Sequence, residues 1–261
     1  NASHAIQLQS EASTMRTMPP HTLDRPVRRV AAAQPRRRTF TTQPLDVALA
    51  GVVALDVAGS LISARFGLGW RSAAVLDVLL SAYLLTLLAR SSWRPLVGRL
   101  LLIGLLAGVL ELATDAAGES VVHSLVYPPG EPMLWASPLY MPLSWMIVIT
   151  PLGYLAWRLS SAHWRNSLPI AMLLTAGWSA LNIPFYEEMA YAAGWWHYTT
   201  APRIGHTPVY VILFEALIGA ALPLIARALP HISWRATLLR GAALGAWIPS
   251  AALLAWLVLG R

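Results

Sequence analysis

Seven apolar segments, each long enough to cross a lipid bilayer, fill the chain after residue 43 and leave little room for anything but a polytopic helical membrane protein. They run 44–64, 71–91, 97–120, 138–158, 168–191, 208–229 and 236–259. A hydrocarbon core of ~30 Å needs about 20 residues of helix, and each segment supplies them. A membrane barrel would show short alternating segments instead. Only 12% of residues are charged, about half the ~25% of an ordinary soluble domain. The chain has no cysteine, which removes disulfides, thiolate chemistry and cysteine metal sites.

Residues 1–43 differ from the rest, with Pro19, Pro20, Pro26, Pro35 and seven arginines among few bulky apolar side chains. They read as a tail with little structure of its own, followed by a transmembrane domain over 44–261. Residues 1–14, which precede Met15, suit a leader segment. All 19 cationic residues are Arg. The tail and the connections holding Arg90, Arg94 and Arg99, then Arg158 and Arg165, then Arg227, Arg235 and Arg240 fall on one side of the expected membrane. The other side has only Arg65, Arg71, Arg203 and Arg261. The positive-inside rule then puts the N-terminus in the cytoplasm and the C-terminus outside. The net charge of +7 is thus a topology signal, and no basic face with aromatic platforms accompanies it to suit nucleic acid.

Segments four and six begin and end alike. One opens Ser137-Pro138-Leu139-Tyr140 and closes Ala156-Trp157-Arg158-Leu159; the other opens Thr207-Pro208-Val209-Tyr210 and closes Ala226-Arg227-Ala228-Leu229. Each follows an acidic helix end, Asp115 and Glu119 in one case, Glu187 and Glu188 in the other. Segments 3–4 and 5–6 therefore read as two copies of one helical hairpin, and repeats of this kind enclose sites at their interface. Pro near a helix start and Arg at a cytoplasmic end are also general membrane grammar.

In segment three Glu111, Asp115, Glu119 and His123 recur every four residues, which stacks them along one stripe of a helix. Gly104 and Gly108 precede them on nearly the same stripe and would admit a neighbouring helix closely. In segment five Asn182, Pro184, Glu187, Glu188 and Tyr191 crowd the last turns, and Pro184 is expected to kink the helix. Glu187 and Glu188 lie about 100° apart on a helix, so one of the two faces any cavity. Glu215 sits two turns into segment six, and Asp56 and Asp77 add acids in segments one and two. An acid at mid-helix costs ~2.5–3.5 kcal/mol on insertion scales, so these carboxyls are expected to serve a function. With almost no cations at their depth, three remedies exist: protonation, a bound metal, or a wet cavity.

Protonated carboxyls facing an apolar cavity are general acids, able to protonate an alkene or epoxide while others steady a carbocation. Trp135, Tyr140, Trp145, Trp178, Tyr186, Tyr191, Trp195 and Trp196 would line such a pocket and bind the substrate, and they equally suit an interfacial aromatic belt. Alternatively Glu111, Asp115, Glu119, His123, His197 and His206 offer the oxygen and nitrogen ligands of a divalent metal in a membrane oxidase or hydroxylase. His197 and His206 fall in an expected loop, where solvated histidines are common. A third reading is not an enzyme: a coupled transporter with helices broken at Pro184 and Pro249, or an accessory subunit of a membrane complex.

The region Glu111–Leu229 resembles integral-membrane enzymes that modify carotenoids and other terpenoids: the carotenoid hydratase type, the small membrane lycopene cyclases and the seven-helix terpene cyclases of meroterpenoid pathways. The likeness lies in the succession of an acidic helix end, an aromatic and Pro-bearing loop, and a helix opening Pro-Leu-Tyr-Met-Pro-Leu-Ser-Trp over 138–145, repeated around Pro208-Val209-Tyr210. Tyr186-Glu187-Glu188 is the nearest match to the Pro-Glu-Glu signature of the lycopene cyclases. The resemblance implies paired acids on separate helices performing protonation, roles that Glu111 or Asp115 and Glu187 or Glu188 could fill. The expectation is an all-α multi-pass enzyme of the cell membrane with a pocket opening to the non-cytoplasmic side. It would cyclise or hydrate an isoprenoid-like lipid without an organic cofactor. Glu111 or Asp115 would donate the proton, and Glu188 and Glu215 would orient the acid or take a proton back.

Overall fold

The computed structural model describes residues 41–161 and 168–260. Seven α-helices make up the body: α1 (Pro44–Phe66), α2 (Trp70–Thr86), α3 (Arg94–Ser120), α4 (Met141–Ser161), α5 (Leu168–Ala193), α6 (Val209–Ala226) and α7 (Trp234–Leu259). Each lies within a few residues of its expected apolar segment. The expected tail lies outside the described residues except for residues 41–43, which lead into α1. There Gln43 and Asp46 form a capping box, and Pro44 stands at the first helical position, where its missing N–H is not needed.

Six of the seven helices are long and apolar enough to cross a membrane; α4 falls short on apolarity. Packing accounts for this. α4 contacts α1, α2, α3, α5 and α6, and none of its residues from Met141 to Ser160 is exposed. A helix enclosed by other helices need not present an apolar surface to lipid, so α4 can carry Ser144, Thr150, Pro151 and Arg158.

Close packing uses the expected glycines. A methyl group added at Gly104 would lie 2.8 Å from Met146 Cα, and one at Gly108 2.8 Å from both Cα and O of Pro142. Only hydrogen on these two residues lets the α3 and α4 backbones approach so far. Gly219 does the same for α6, where an added methyl would meet Thr175 O of α5 at 2.5 Å. The helices α5 and α7 run without interruption through Pro184 and Pro249, so the expected break occurs at neither.

The connections after α3 and α5, read from sequence as plain loops, each hold three strands of two residues. After α3 come β1 (Leu125–Val126), β2 (Met133–Leu134) and β3 (Ser137–Pro138); after α5 come β4 (His197–Tyr198), β5 (Arg203–Ile204) and β6 (Thr207–Pro208). The strands β2–β3 and β5–β6 form matching antiparallel hairpins, and β1 pairs with β4 antiparallel. In each hairpin a proline carbonyl closes the turn: Leu139 N–H donates to Pro132 O, and Val209 N–H donates to Pro202 O, both at 2.9 Å. The tips adopt the same left-handed backbone, Trp135 at φ +60° and Gly205 at φ +61°. The succession helix, three strands, helix thus occurs twice, and β1 and β4 join the two occurrences.

Candidate functional site

A cavity of about 760 Å³ opens among the helices, in the size range of sites that enclose small molecules. All seven helices contribute to its wall, and α4 lines it from Met141 to Arg158. Seven carboxyl side chains border it: Asp46, Asp56, Asp77, Glu111, Asp115, Glu187 and Glu215. Most of the remaining wall is aliphatic or aromatic, including Trp145, Trp178, Trp195, Trp196, Phe214 and Trp256.

The i to i+4 spacing on α3 brings Glu111 and Asp115 onto one buried face, 3% and 7% exposed. The carboxyls lie against each other, and the Trp145 indole lies against Glu111. Tyr127 Oη and Ser137 Oγ each donate to Asp115 Oδ2 at 2.5 Å. Tyr127 follows β1 and Ser137 opens β3, so the short strands after α3 aim both donors at a helical acid. Burial, then the Asp115 and Glu111 charges, push the Tyr127 phenol well above its ordinary range and keep it a neutral donor. Glu111 Oε2 is buried without a hydrogen-bond partner, an acceptor left over for a molecule in the cavity. Two adjacent buried negative charges are unfavourable, so contact between the two carboxyls away from water favours a proton shared between them.

Glu187 of α5 also borders the cavity, buried, with Trp196 Nε1 donating to its Oε2 at 2.9 Å and Tyr198 beside it. Burial also pushes the Tyr198 phenol well up, as does the Glu187 charge. Glu215 stands near enough to both Glu111 and Glu187 to feel their charges. Nearer α1 and α2, Tyr186 donates to Asp56 and Ser144 donates to Asp77. At the far end Asp46 accepts from Tyr154 at 2.6 Å and pairs with Arg158 at 3.1 Å.

Of the acids expected to act, Glu111, Asp115, Glu187 and Glu215 meet on this cavity and Glu188 does not. One of the adjacent glutamates faces inward, and it is Glu187. Glu188 turns to the β5–β6 hairpin, where it accepts from the His206 backbone N–H at 2.6 Å and meets His206 Nδ1 at 2.6 Å. Tyr191 stacks on the His206 ring at 3.5 Å, outside the cavity. Among the expected aromatic contacts, Tyr140, Trp145, Trp178, Tyr186, Trp195 and Trp196 line the cavity, whereas Trp135 is 72% exposed at a hairpin tip. The alternative metal set is split: Glu111 and Asp115 border the cavity, and Glu119, His123, His197 and His206 do not. Among the described residues no three His, Asp or Glu side chains are grouped to hold a metal ion.

Several partners were not singled out from sequence. Tyr127, Ser137 and Ser144 are polar residues in or beside apolar stretches, and their one sequence signal is proximity to Pro-bearing turns; Tyr198 was legible as an aromatic near the pocket face, but not as a partner of Glu187. Asp56 and Asp77 were visible as membrane acids, but their meeting on one wall depends on how α1 and α2 pack. No curated protein and no solved structure matches the chain. The sequence model of a family described as a domain of unknown function (DUF6989) matches residues 112–259, which covers Asp115, both strand-bearing connections, Glu187 and Glu215, and the chain belongs to that family.

Proposed function

We propose that this protein is an integral-membrane enzyme that cyclises or hydrates a long isoprenoid-like lipid by proton transfer from the Glu111–Asp115 pair. The observation that carries the reading is this carboxyl pair, held by Tyr127 and Ser137 on the wall of a largely apolar cavity of about 760 Å³. At the ~30 Å³ share of a water molecule, that space accommodates no fewer than about 25 heavy atoms, the scale of a polyprenyl chain.

The shared proton adds to a terminal carbon–carbon double bond, leaving both carboxyls of the pair ionised beside a carbocation whose positive charge offsets the added negative one. Asp115, with two hydroxyl donors in place, carries the resulting negative charge. The Trp145 and Trp196 faces and the carboxylates of Glu187 and Glu215 steady the cation. In cyclisation an internal double bond attacks the cation and a neighbouring carbon loses a proton to a carboxylate, so the product is an isomer. In hydration water attacks and then loses the proton, so the product gains one water. No net proton is consumed in either case.

In this reading all seven helices span the membrane, with the N-terminus cytoplasmic, and α3–α4 and α5–α6 are two copies of one unit. The arginine distribution, the enclosure of α4 and the twice-occurring strand pattern support it. The test is to reconstitute the full chain in liposomes with linear polyprenols or linear carotenes and follow products by mass spectrometry. Products of unchanged mass or of mass increased by one water are expected. Folded protein that converts none of these lipids would overturn the proposal.

The reach of the cavity along α4 from Met141 to the Asp46–Arg158 pair favours a second reading, a proton-coupled transporter. Flux of an isoprenoid or cation across proteoliposomes, dependent on a pH gradient, would distinguish it.

A further inference from the structure

Glu131 is a buried carboxyl that the proposed chemistry does not use. It stands between Gly130 and Pro132, both exposed, yet is itself only 7% exposed, and the one polar side chain against its carboxyl is the Tyr140 hydroxyl, too poorly aligned to make a full hydrogen bond. A loop carboxyl one residue from water would ordinarily turn outward, because burying an unpaired carboxyl costs several kcal/mol. Here Gly130, at φ +82°, takes the left-handed turn that sends the chain inward.

The neighbour of Glu131 is Tyr140 at the entry to α4, itself 7% exposed, with an Oη that likewise makes no full hydrogen bond. Tyr140 lines the cavity, and Asp77 and Asp115 lie within electrostatic reach of its hydroxyl. One phenol therefore separates a carboxyl next to the outer surface from two carboxyls inside. A hydroxyl both donates and accepts, so it can pass a proton without gaining or losing one.

The second hairpin is an internal control. With Pro132 and Pro202 in like positions, Ala201 occupies the place of Glu131 and Tyr210 that of Tyr140. The Tyr210 hydroxyl is engaged with Ser124 Oγ at 3.1 Å. The hairpin thus forms without an acid at this position, and folding does not account for Glu131.

We propose that Glu131 and Tyr140 form a proton port that exchanges protons between outside water and the cavity carboxyls. Protonated Glu131 gives its proton to Tyr140 Oη as the Tyr140 O–H proton passes to a carboxylate inside, and Glu131 is then reprotonated from water. The two transfers occur together, the hydroxyl taking one proton as it gives up another, so no phenolate accumulates. The Glu131 carboxyl is pushed up by burial, which keeps it charged with a proton more of the time. The port's use in turnover rests on the acid chemistry proposed above; the exchange itself does not.

The test is infrared spectroscopy of the reconstituted full chain, following the protonated-carboxyl band after a step from H2O to D2O. Asp115→Asn and Asp77→Asn identify the part of the band that belongs to the cavity. In Glu131→Ala and in Tyr140→Phe, deuteration of that part should slow by at least about tenfold, the effect of about 1.4 kcal/mol on a barrier. Glu131→Asp should restore part of the rate. Unchanged exchange in both variants, or no protonated cavity band in the unmodified protein, would overturn the port. An active Asp115→Asn variant with slowed exchange in Tyr140→Phe would overturn the acid reading alone.

Discussion

Replacing Asp115 by Asn separates chemistry from architecture, because the amide keeps the shape of the carboxyl. Its oxygen can take the place of Oδ2 and accept from both Tyr127 and Ser137, now bonded at 2.5 Å, while its NH2 donates to Glu111. Hydrogen bonds to a charged acceptor contribute ~1.5–3 kcal/mol and neutral ones ~0.5–1.5, so the change costs about 1 kcal/mol per bond and about 2 in all. Removing a buried charge offsets part of that. At ~2–4 °C per kcal/mol for a domain of this size, the melting temperature should fall by no more than about 8 °C. Turnover of an isoprenoid substrate should fall by roughly 10²–10⁴, the usual contribution of a positioned acid. The assay is product formation by the purified, reconstituted variant, normalised to folded protein by thermal unfolding of the same sample. Turnover at the unmodified level, or a loss no larger than the loss of folded protein, would refute the role given to Asp115.

Glu188→Gln should leave turnover intact, because Glu188 meets His206 outside the cavity; its partly exposed contact with the imidazole is worth no more than ~1 kcal/mol in thermal unfolding. Gly108→Ala places a methyl 2.8 Å from the Pro142 backbone and should destabilise by ~1–3 kcal/mol, read as a lower melting temperature. Burial raises the Glu131 carboxyl above its ordinary 4.5, so the unfolded chain loses this proton first as pH rises and the folded state becomes less favoured. Glu131→Gln removes that effect. Its stability relative to the unmodified protein should therefore increase as pH rises above about 4.5 and level off once folded Glu131 has ionised; a pH-independent difference in chemical or thermal unfolding would contradict the assignment.

The helices were legible in the sequence because the bilayer dictates their length and composition, and α1 to α7 fall where the apolar segments lie. Glu111 and Asp115 were legible as a pair because a separation of four residues along a helix fixes them on one face whatever surrounds it. What the sequence left open was rotational. Glu187 and Glu188 are chemically alike and adjacent, and only the packing of α5 against α6 decides that Glu187 turns inward while Glu188 meets the hairpin. Tyr127 and Ser137 were hidden for another reason. Their approach to Asp115 is made by two-residue strands, too short to leave an alternating pattern that periodicity can detect. The shortfall of α4 in apolarity likewise has a packing cause, since a helix walled in by five others need not resemble one that faces lipid.

If α3–α4 and α5–α6 are read as two copies of one unit, as proposed, the succession of helix, three strands and helix that occurs twice accounts for an asymmetric cluster of carboxyls on a regular frame. The proline-closed hairpins and the tyrosines at the entries to α4 and α6 are the common part, and they govern shape. The polar residues depart from the pattern. Where the first hairpin has Glu131 beside Tyr140, the second has Ala201, and its tyrosine is engaged by Ser124. With the entry tyrosines aligned, Glu215 on α6 takes the place of Trp145 on α4, and both border the cavity. A symmetric pocket would offer a substrate two equivalent proton donors and no preferred direction. The differences instead put the carboxyl pair and the unpartnered tyrosine Tyr140 on the α3–α4 side, and Glu187 and Glu215 on α5 and α6. In the proposed reaction, that asymmetry would give a bound chain one end at which a proton arrives and a different part of the wall to steady the charge it creates.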